Sequence, residues 1–361
     1  MVKDKLQIGV KTSLPINLFN KRIALLAMQG AGKSYTAGVI EEEMLDYLVE
    51  KGNSNAKLII MDPVGAHFGI REKFPIHIVG GEHGDIELDS EEGHRFAQLV
   101  HDFNIPCLFD LSSLKQDDAI QFVTDFSDKI FEITKTPTHI IYEEADMFAP
   151  QRPTSSKHKL SLAALDSIVR RGRGRGLGVT LITQRPAVLS KNVLTQVDAS
   201  IILNITGETD LKTIREYLDS AGLNKKDIDE HVEKIMSFGK GHGLLFSPSW
   251  LKEIKEIVIR KRISFHSGAE PELDKPDPAK DVELIPMEIG PLINGLNGEE
   301  IVQPKIDSEI RKNEWTCFVN ATESLKKEIP LEDQEGFSTG AKIIGIAGFA
   351  ILFFVLISGF S

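Results

Sequence analysis

The residues Ala27-Met-Gln-Gly-Ala-Gly-Lys-Ser34 lie between an apolar run, Ile23–Ala27, and a helical pattern over Lys33–Val49. They match the phosphate-binding loop GxxxxGK[ST] at every fixed position except the first, where Ala27 replaces glycine. In such a loop the backbone N–H groups surround a phosphate, the lysine reaches the β- and γ-phosphate oxygens, and the hydroxyl binds Mg²⁺. We therefore assign ATP binding to Gly30, Ala31, Gly32, Lys33, Ser34 and Tyr35, with Lys33 also catalytic and Ser34 a ligand of Mg²⁺.

Apolar runs alternate with helical patterns on both sides of this loop, as a sheet built from βαβ units requires. The predicted strands are Ile23–Ala27, Leu58–Met61, Ile76–Val79, Pro106–Leu111, His139–Tyr142, Val179–Thr183, Ser200–Asn204, Gly243–Phe246 and Ile254–Arg260. The predicted helices are Lys33–Val49, Ser90–Phe103, Asp117–Ile133, Leu160–Arg171, Asp210–Asp219 and Lys225–Phe238. The fold class is α/β, with a mainly parallel sheet flanked by helices.

Two acidic residues follow the predicted strand His139–Tyr142. A phosphate-binding loop needs a carboxylate at a strand end to hold Mg²⁺, and we assign this role to Glu143. Glu144 is then expected to polarise the attacking water as the catalytic base. The first position is usually Asp, so the additional methylene of Glu143 can displace the metal. The alternative is that the two acids only begin a solvated helix.

Two further segments carry polar groups that could act on a phosphate. Gln184 follows the strand Val179–Thr183, where its amide could sense the γ-phosphate and take part in catalysis. The segment Ile168–Gly176 contains four arginines and three glycines. Composition alone favours a solvated basic surface for this segment.

Taken together, these motifs resemble the HerA/FtsK branch of the P-loop motor ATPases, and HerA-type DNA translocases most closely. The resemblance covers about residues 15–250. It rests on Ala27–Ser34, Met61–Gly65, Tyr142–Pro150, Ile168–Gly176, Leu181–Pro186 and Val193–Asp198. It implies a RecA-like core, assembled as a homohexameric ring around double-stranded DNA with ATP between neighbours. It also implies that Arg170 or Arg173 enters the site of the next subunit as a catalytic arginine.

The sequence departs from the HerA pattern at two places. HerA-type proteins typically have Asp-Pro-His-Gly-Glu where this chain has Asp62-Pro-Val-Gly-Ala66, so an acidic group is absent and water activation depends more heavily on Glu144. About 15 residues precede the region of resemblance, so we do not expect the N-terminal β-barrel of full HerA proteins. A nuclease partner is therefore uncertain.

Composition restricts the class of protein and its compartment. The chain has 361 residues, 41% apolar and 26% charged, which excludes a wholly disordered, collagen-like or multi-span membrane protein. Two cysteines without CxxC spacing suggest neither a disulfide framework nor a cysteine zinc site, and indicate a reducing compartment. The first ten residues lack the features of a signal peptide. We expect a cytoplasmic ATPase domain.

Charge and composition divide the chain into three parts. Residues 1–262 are nearly neutral and form the predicted ATPase domain, whereas residues 263–361 carry 8 basic and 17 acidic residues. Residues 263–340 are predicted to be an acidic, partly disordered linker. Residues 341–361 contain Ile343–Phe360, an uncharged segment long enough to be a marginal transmembrane anchor. The alternative is a helix that packs in a groove or an oligomer interface.

The sequence leaves three functions open. The leading one is an ATP-driven translocase of double-stranded DNA, which would contact phosphates without sequence preference. Its channel loop would be Gln151–Lys159, which is otherwise an exposed linker. The second is a membrane-tethered ATPase for conjugation, secretion or virion assembly. The third is a nucleotide-dependent membrane scaffold with weak hydrolysis.

Overall fold

The predicted strands form one nine-stranded sheet in the computed structural model, which describes residues 4–52, 55–269 and 278–296. The sheet contains β3 (Arg22–Leu26), β4 (Lys57–Asp62), β5 (His77–Val79), β6 (Cys107–Asp110), β7 (Thr138–Tyr142), β8 (Leu177–Thr183), β9 (Ala199–Ile202), β10 (His242–Ser247) and β11 (Glu253–Val258). A separate hairpin, which the sequence did not predict, pairs β1 (Lys5–Gly9) with β2 (Thr12–Pro15). The α/β class is confirmed.

The strand order places the polar strand ends of the site side by side. The order is β11-β10-β9-β3-β8-β7-β4-β6-β5, and the strands from β9 to β5 are parallel. Strand β8 lies between β3, which leads into the phosphate-binding loop, and β7, which leads into Glu143. Because parallel strands end at the same sheet edge, the residues after β3, β8, β7 and β4 lie side by side along that edge.

Helices cover both faces of the sheet. They are α1 (Lys33–Lys51), α2 (Gly93–Phe103), α3 (Gln116–Ile133), α4 (Ala145–Phe148), α5 (Ser156–Arg171), α6 (Lys191–Leu194), α7 (Glu208–Ser220), α8 (Lys225–Ser237) and α9 (Gly290–Leu296). Four short 3₁₀ helices span Ile16–Asn20, Phe68–Glu72, Gly172–Arg175 and Pro278–Asp281. Side-chain caps begin α5 and α8, where Ser155 and Asn224 accept hydrogen bonds from backbone amides three residues ahead.

The main hydrophobic core lies on the face covered by α2, α3 and α5. Alternate residues of the central strands, such as Ala24 and Leu26, contribute to it together with Phe109, Phe122 and Phe126. These three rings contact one another with centroid separations of 5.1–6.2 Å. On the other face α1 packs against β1, β3 and β4. The core therefore fixes the strands whose ends carry the site.

The chain after β11 turns back over α1, and we call residues 260–268 the strap. Glu42 of α1 is fully buried and accepts hydrogen bonds from the amides of Ile263 and Ser264 at 2.8 and 2.7 Å. Its other carboxylate oxygen accepts a bond from Arg260 at 2.7 Å. Farther along, the Ser267 hydroxyl donates to the Ala66 carbonyl at 2.6 Å. The strap thus joins α1 to the loop that follows β4.

The chain divides into two compact units. One contains Met1–Asp277 and Val282–Pro304, and the other contains Pro278–Asp281 and Lys305–Ser361. Of the second unit, the described residues are the 3₁₀ turn at Pro278–Asp281. The predicted domain limits at 262 and 340 stay predictions. Among the described residues, no helix has the length and apolarity to cross a bilayer, and the predicted anchor Ile343–Phe360 lies outside them.

Candidate nucleotide-binding site

The loop between β3 and α1 has the backbone geometry of an anion cradle. Gly30 and Gly32 have φ of 77° and 96°, a left-handed conformation that glycine adopts at no steric cost. Among the described residues, the backbone amides of five loop and first-turn positions find no backbone acceptor: Gly30, Gly32, Lys33, Ser34 and Tyr35. A Cβ placed on Gly30 would meet nothing within 4 Å, so the space over the loop is open. The loop therefore presents several free donors to an anion.

Lys33 lies between the two predicted acids. Its Nζ contacts Glu143 Oε1 and lies 3.1 Å from Glu144 Oε1. Glu143 is 1% exposed and Lys33 is 8% exposed, so this charge cluster is screened little by solvent. The structure thus brings together the lysine of the loop and the acidic pair of β7, which are 110 residues apart in the sequence.

Glu144 adopts an uncommon backbone conformation. Its φ and ψ are both 49°, in the left-handed region that non-glycine residues rarely occupy. The turn directs its carboxylate away from the core, where Oε1 accepts a hydrogen bond from Gln184 Nε2 at 2.8 Å. Next to it, the Thr183 hydroxyl donates to Asp146 at 2.5 Å. Gln184 therefore contacts the predicted catalytic base, which is possible because β8 neighbours β7.

The loop after β4 adds two residues that the sequence analysis did not assign to the site. Asp62 is fully buried, and its carboxylate accepts hydrogen bonds from the amides of Val64, Gly65 and His67 at 2.9–3.0 Å. This closed turn places the His67 ring in the interior. His67 Nδ1 lies 2.7 Å from Glu41 Oε1 of α1, and His67 Nε2 lies 3.4 Å from Glu143 Oε2.

The pKa directions in this cluster follow from burial and pairing. Burial acts against the charged form of His67, but Glu41 and Asp62 outweigh it and hold the pKa well above its usual value. Burial raises the pKa of Glu143, yet the neighbouring His67 and Lys33 side chains lower it overall. Burial is the main cause that raises the pKa of Glu144, which is less closely paired. Glu143 is therefore the acid held as a carboxylate.

Ser34 and Tyr35 lie where the strap crosses the start of α1. The Ser34 carbonyl accepts a bond from Arg262 Nη1 at 3.4 Å, and the Tyr35 hydroxyl accepts one from the Arg262 amide at 2.7 Å. These bonds do not use the Ser34 hydroxyl, which has no hydrogen-bond partner among the described residues. With a buried carboxylate at Glu143 and this hydroxyl beside the amide cradle, the donor set suits a triphosphate with a hard cation such as Mg²⁺.

The arginine-rich segment lies at the end of α5 and in the following 3₁₀ turn. Arg170 pairs with Asp166 at 2.8 Å, one helical turn earlier. Arg171 and Arg175 lie over the Phe131 ring, 5.1 and 4.6 Å from its centroid. The Arg173 carbonyl accepts a hydrogen bond from the Gly176 amide at 3.2 Å, whereas its exposed side chain makes no hydrogen bond or ion pair within the described part of the chain. Neither Arg170 nor Arg173 contacts the described Lys33 cluster of its own chain.

The predicted channel segment Gln151–Lys159 consists of the loop before α5 and the first turn of that helix, which begins at Ser156. The Gln151 amide donates to the Val188 carbonyl at 2.6 Å, and Lys157 Nζ donates to the Asp117 carbonyl at 3.2 Å. Arg152 and Lys159 are exposed. The segment is thus attached at both ends and presents two basic side chains to solvent.

Comparison with known sequences identifies the relatives of this chain. The family described as "Helicase HerA, central domain" matches residues 5–129. The DNA double-strand break repair helicase HerA of Pyrococcus furiosus is 29% identical over 135 residues, which are 37% of this chain and 22% of that protein. A probable DNA double-strand break repair helicase HerA of Methanocaldococcus jannaschii is 31% identical over 115 residues, 32% of this chain and 21% of that protein. The chain spans about a fifth of the length of these curated relatives.

Solved structures provide a fold comparison. The genome packaging NTPase B204 from Sulfolobus turreted icosahedral virus 2, in complex with sulfate, is 18% identical with a TM-score of 0.44, over 67% of this chain and 98% of that one. VirB4 of Thermoanaerobacter pseudethanolicus is 14% identical with a TM-score of 0.43, over 71% of this chain and 95% of that one. The region of residues 5–129 that is similar to the HerA helicase central domain includes the phosphate-binding loop, Asp62 and His67.

Proposed function

We propose that this protein is an ATPase that translocates double-stranded DNA as a ring of identical subunits. The observation that carries the ATPase proposal is the contact of Lys33 with both Glu143 and Glu144 beside a loop of free backbone amides. The HerA family match supports the motor assignment. Duplex DNA, the hexamer and the translocation step come from this family relation.

Each residue of the cluster has a defined task in this proposal. The amides of the loop bind the phosphates, and Lys33 exchanges its carboxylate partners for β- and γ-phosphate oxygens. Ser34 and Glu143 would hold Mg²⁺, which neutralises phosphate charge when it is bound. Glu144 accepts a proton from the attacking water, and burial raises its pKa toward the range useful for a base. Gln184, bonded to Glu144, connects this carboxylate to the loop after β8.

Two substitutions separate binding from hydrolysis. We expect Lys33→Ala to weaken ATP binding, because the variant loses the cation that contacts the phosphates. Glu144→Gln should retain ATP but lose at least ~10²-fold in turnover, because the amide cannot accept the proton. The measurements are equilibrium binding of ATP and steady-state hydrolysis by the full chain, each with and without duplex DNA.

Two exposed residues of α8 provide matched controls, Lys226→Ala and Glu233→Gln, which should behave like the wild type. Wild-type turnover by Glu144→Gln would remove that residue from the mechanism. ATPase activity that duplex DNA does not stimulate would instead contradict the translocase assignment and favour the nucleotide-dependent scaffold.

A further inference from the structure

We propose that His67, held by Glu41, positions the Glu143 carboxylate for binding of Mg²⁺ with ATP. The inference rests on the proposed function and adds a positioning pair to that site. Its basis is a continuous buried contact from α1 to β7: Glu41 Oε1 lies 2.7 Å from His67 Nδ1, and His67 Nε2 lies 3.4 Å from Glu143 Oε2. The side chains of Glu41 and His67 are fully buried, and that of Glu143 is 2% exposed.

The fold leaves the His67 ring little freedom to move. Its backbone amide donates to Asp62 Oδ2 at 2.9 Å, and the same carboxylate closes the turn through the Val64 and Gly65 amides. A Cβ on Gly65 would lie 3.1 Å from the Ser112 hydroxyl, so the turn is also packed from outside. A ring fixed at its backbone and contacted on both nitrogens can transmit a defined orientation to its partner.

Glu143 has two anchors on different oxygens. Lys33 contacts Oε1, and His67 faces Oε2. When Lys33 turns to the phosphates, the first anchor is lost and His67 becomes the group that fixes the carboxylate. The additional methylene of Glu143, compared with the usual Asp, gives it one more rotatable bond, so this restraint matters more here than it would for a shorter side chain.

Glu41 has a separate role in the arrangement. It lies on α1, the helix that begins at Lys33, so it connects the phosphate-binding loop to the acid of β7 through one ring. Carboxylate oxygens thus lie on both sides of the ring, one from α1 and one from the residue after β7. If the pair served only as a buried ion pair, its loss would change stability without changing the response to Mg²⁺.

The test measures Mg²⁺ dependence separately from hydrolysis. The full chain is titrated with MgCl₂ at a fixed concentration of a fluorescent, non-hydrolysable ATP analogue, and analogue binding in EDTA is measured in parallel. For His67→Gln we expect the Mg²⁺ midpoint to rise ~10–100-fold, the range observed when partners of a metal ligand are lost. Binding in EDTA should stay within about twofold of the wild type.

A variant cycle tests the role of Glu41. Glu41→Gln should raise the Mg²⁺ midpoint in the wild-type background and have no further effect in His67→Gln, because it acts through the ring. The double variant also avoids an unpaired buried charge, so it reports on the site even where a single variant folds poorly. His139→Gln is the matched control, since His139 is a fully buried histidine of β7 whose Nε2 contacts Thr180 at 2.7 Å.

The outcomes separate this inference from the proposed function. An unchanged Mg²⁺ midpoint in His67→Gln and in the double variant, even with a lower melting temperature, would show a purely structural pair and overturn the inference alone. An equal rise in His139→Gln would do the same. If the wild type does not bind the analogue, or if Lys33→Ala binds it equally well, the proposed function itself fails and the inference fails with it.

Discussion

At the scale of single residues, the site is a group of buried charges that compensate one another. Lys33, His67 and three acids, Glu41, Glu143 and Glu144, lie in continuous contact. Removing one partner of a buried pair leaves an uncompensated charge, whereas removing both partners can be nearly neutral. Double variants are therefore more informative at this site than single ones.

We expect the burial of His139 to make the folded protein measurably less stable in acid. Burial lowers its pKa to about 4 and outweighs the opposing effect of the nearby backbone of Phe19 and Leu18. As the pH falls from 6.5 toward 4, the unfolded chain binds a proton that the folded chain does not. The contribution of His139 to the free energy of unfolding is fully present above pH 6.5. It is lost as the pH falls through this range, by up to about 3 kcal/mol.

Urea unfolding between pH 7.5 and 4.5 tests this prediction. We expect His139→Gln, which has no proton to take up, to depend less steeply on pH than the wild type. The control is His94→Gln, because the His94 side chain is 58% exposed. Identical slopes for the wild type and His139→Gln would show that this histidine does not contribute to acid sensitivity.

Sequence patterns predicted those residues of the candidate site that lie within short motifs. The loop, the acidic pair and Gln184 could be placed because each directly follows an apolar run, and parallel strands end at one edge. Glu41 and His67 could not be placed, since no local spacing connects residues on α1, after β4 and after β7. Three adjacent glutamates at 41–43 also look like a solvated helix face, yet all three are buried.

At the scale of elements, the strap explains why α1 can bury charged side chains. The buried residues Glu42 and Glu43 of this helix accept hydrogen bonds from a segment more than 200 residues later in the sequence. A composition-based boundary at residue 262 cannot show this, because the strap residues carry few apolar side chains. The β1–β2 hairpin was likewise not predicted, since its strands, KLQIG and TSLP, alternate polar and apolar residues and contain no continuous apolar run.

Glu42 is the residue on which the strap depends. Glu42→Ala removes the acceptor of the Ile263 and Ser264 amides and the partner of Arg260. We expect the free energy of unfolding to fall by about 3–5 kcal/mol, the cost of breaking a buried ion pair. Urea denaturation measures this loss, and limited proteolysis should show faster cleavage within 260–268.

The control for this prediction is Glu132→Ala, because the Glu132 side chain is 72% exposed and its ion pair with Lys129 is long, at 3.7 Å. It should change the free energy of unfolding by no more than about 0.5 kcal/mol. A similarly small effect for Glu42→Ala would mean that the strap adds little to the stability of α1.

At the scale of the whole molecule, the arginine segment bears on assembly. The Arg173 side chain has no partner among the described residues, whereas Arg170 pairs with Asp166 and Arg175 lies over Phe131. We therefore expect Arg173→Ala to cost the most activity, ~10³–10⁵-fold if it is supplied across a subunit interface. Arg175→Ala is the control and should keep most of its activity.

Mixing shows whether the arginine acts in trans. Arg173→Ala protein combined with Glu144→Gln protein should regain hydrolysis wherever an intact Glu144 site meets an intact arginine. The same mixture made with Arg170→Ala tests the second candidate. If both arginine variants hydrolyse ATP normally as assembled oligomers, the segment does not act across the interface.

The C-terminal segment carries a separate prediction. Ile343–Phe360 is uncharged over 18 residues, which would span about 27 Å as a helix. We propose that it anchors the protein in a membrane, so truncation after Gly340 should move the protein to the soluble fraction with its ATP binding intact. Leu352→Lys, which places a charge at the centre of the segment, should weaken membrane association. If the full-length protein stays in solution as intact oligomers without detergent, the segment is not a membrane anchor. If truncation breaks the oligomer, the segment is a packing helix.

The strand order also determines when the site can form. Strand β3 pairs with β8 and β9, so Leu26 lies beside Thr183 and Ile202. Residues 5–129, which carry the family match, contain neither partner. At a synthesis rate of roughly 5–20 residues per second, about 10–40 s separate the emergence of β3 from that of β9. The phosphate-binding loop thus gains the strand neighbours of β3 only after most of the domain has been made, and residues 5–129 contain no strand that pairs with β3.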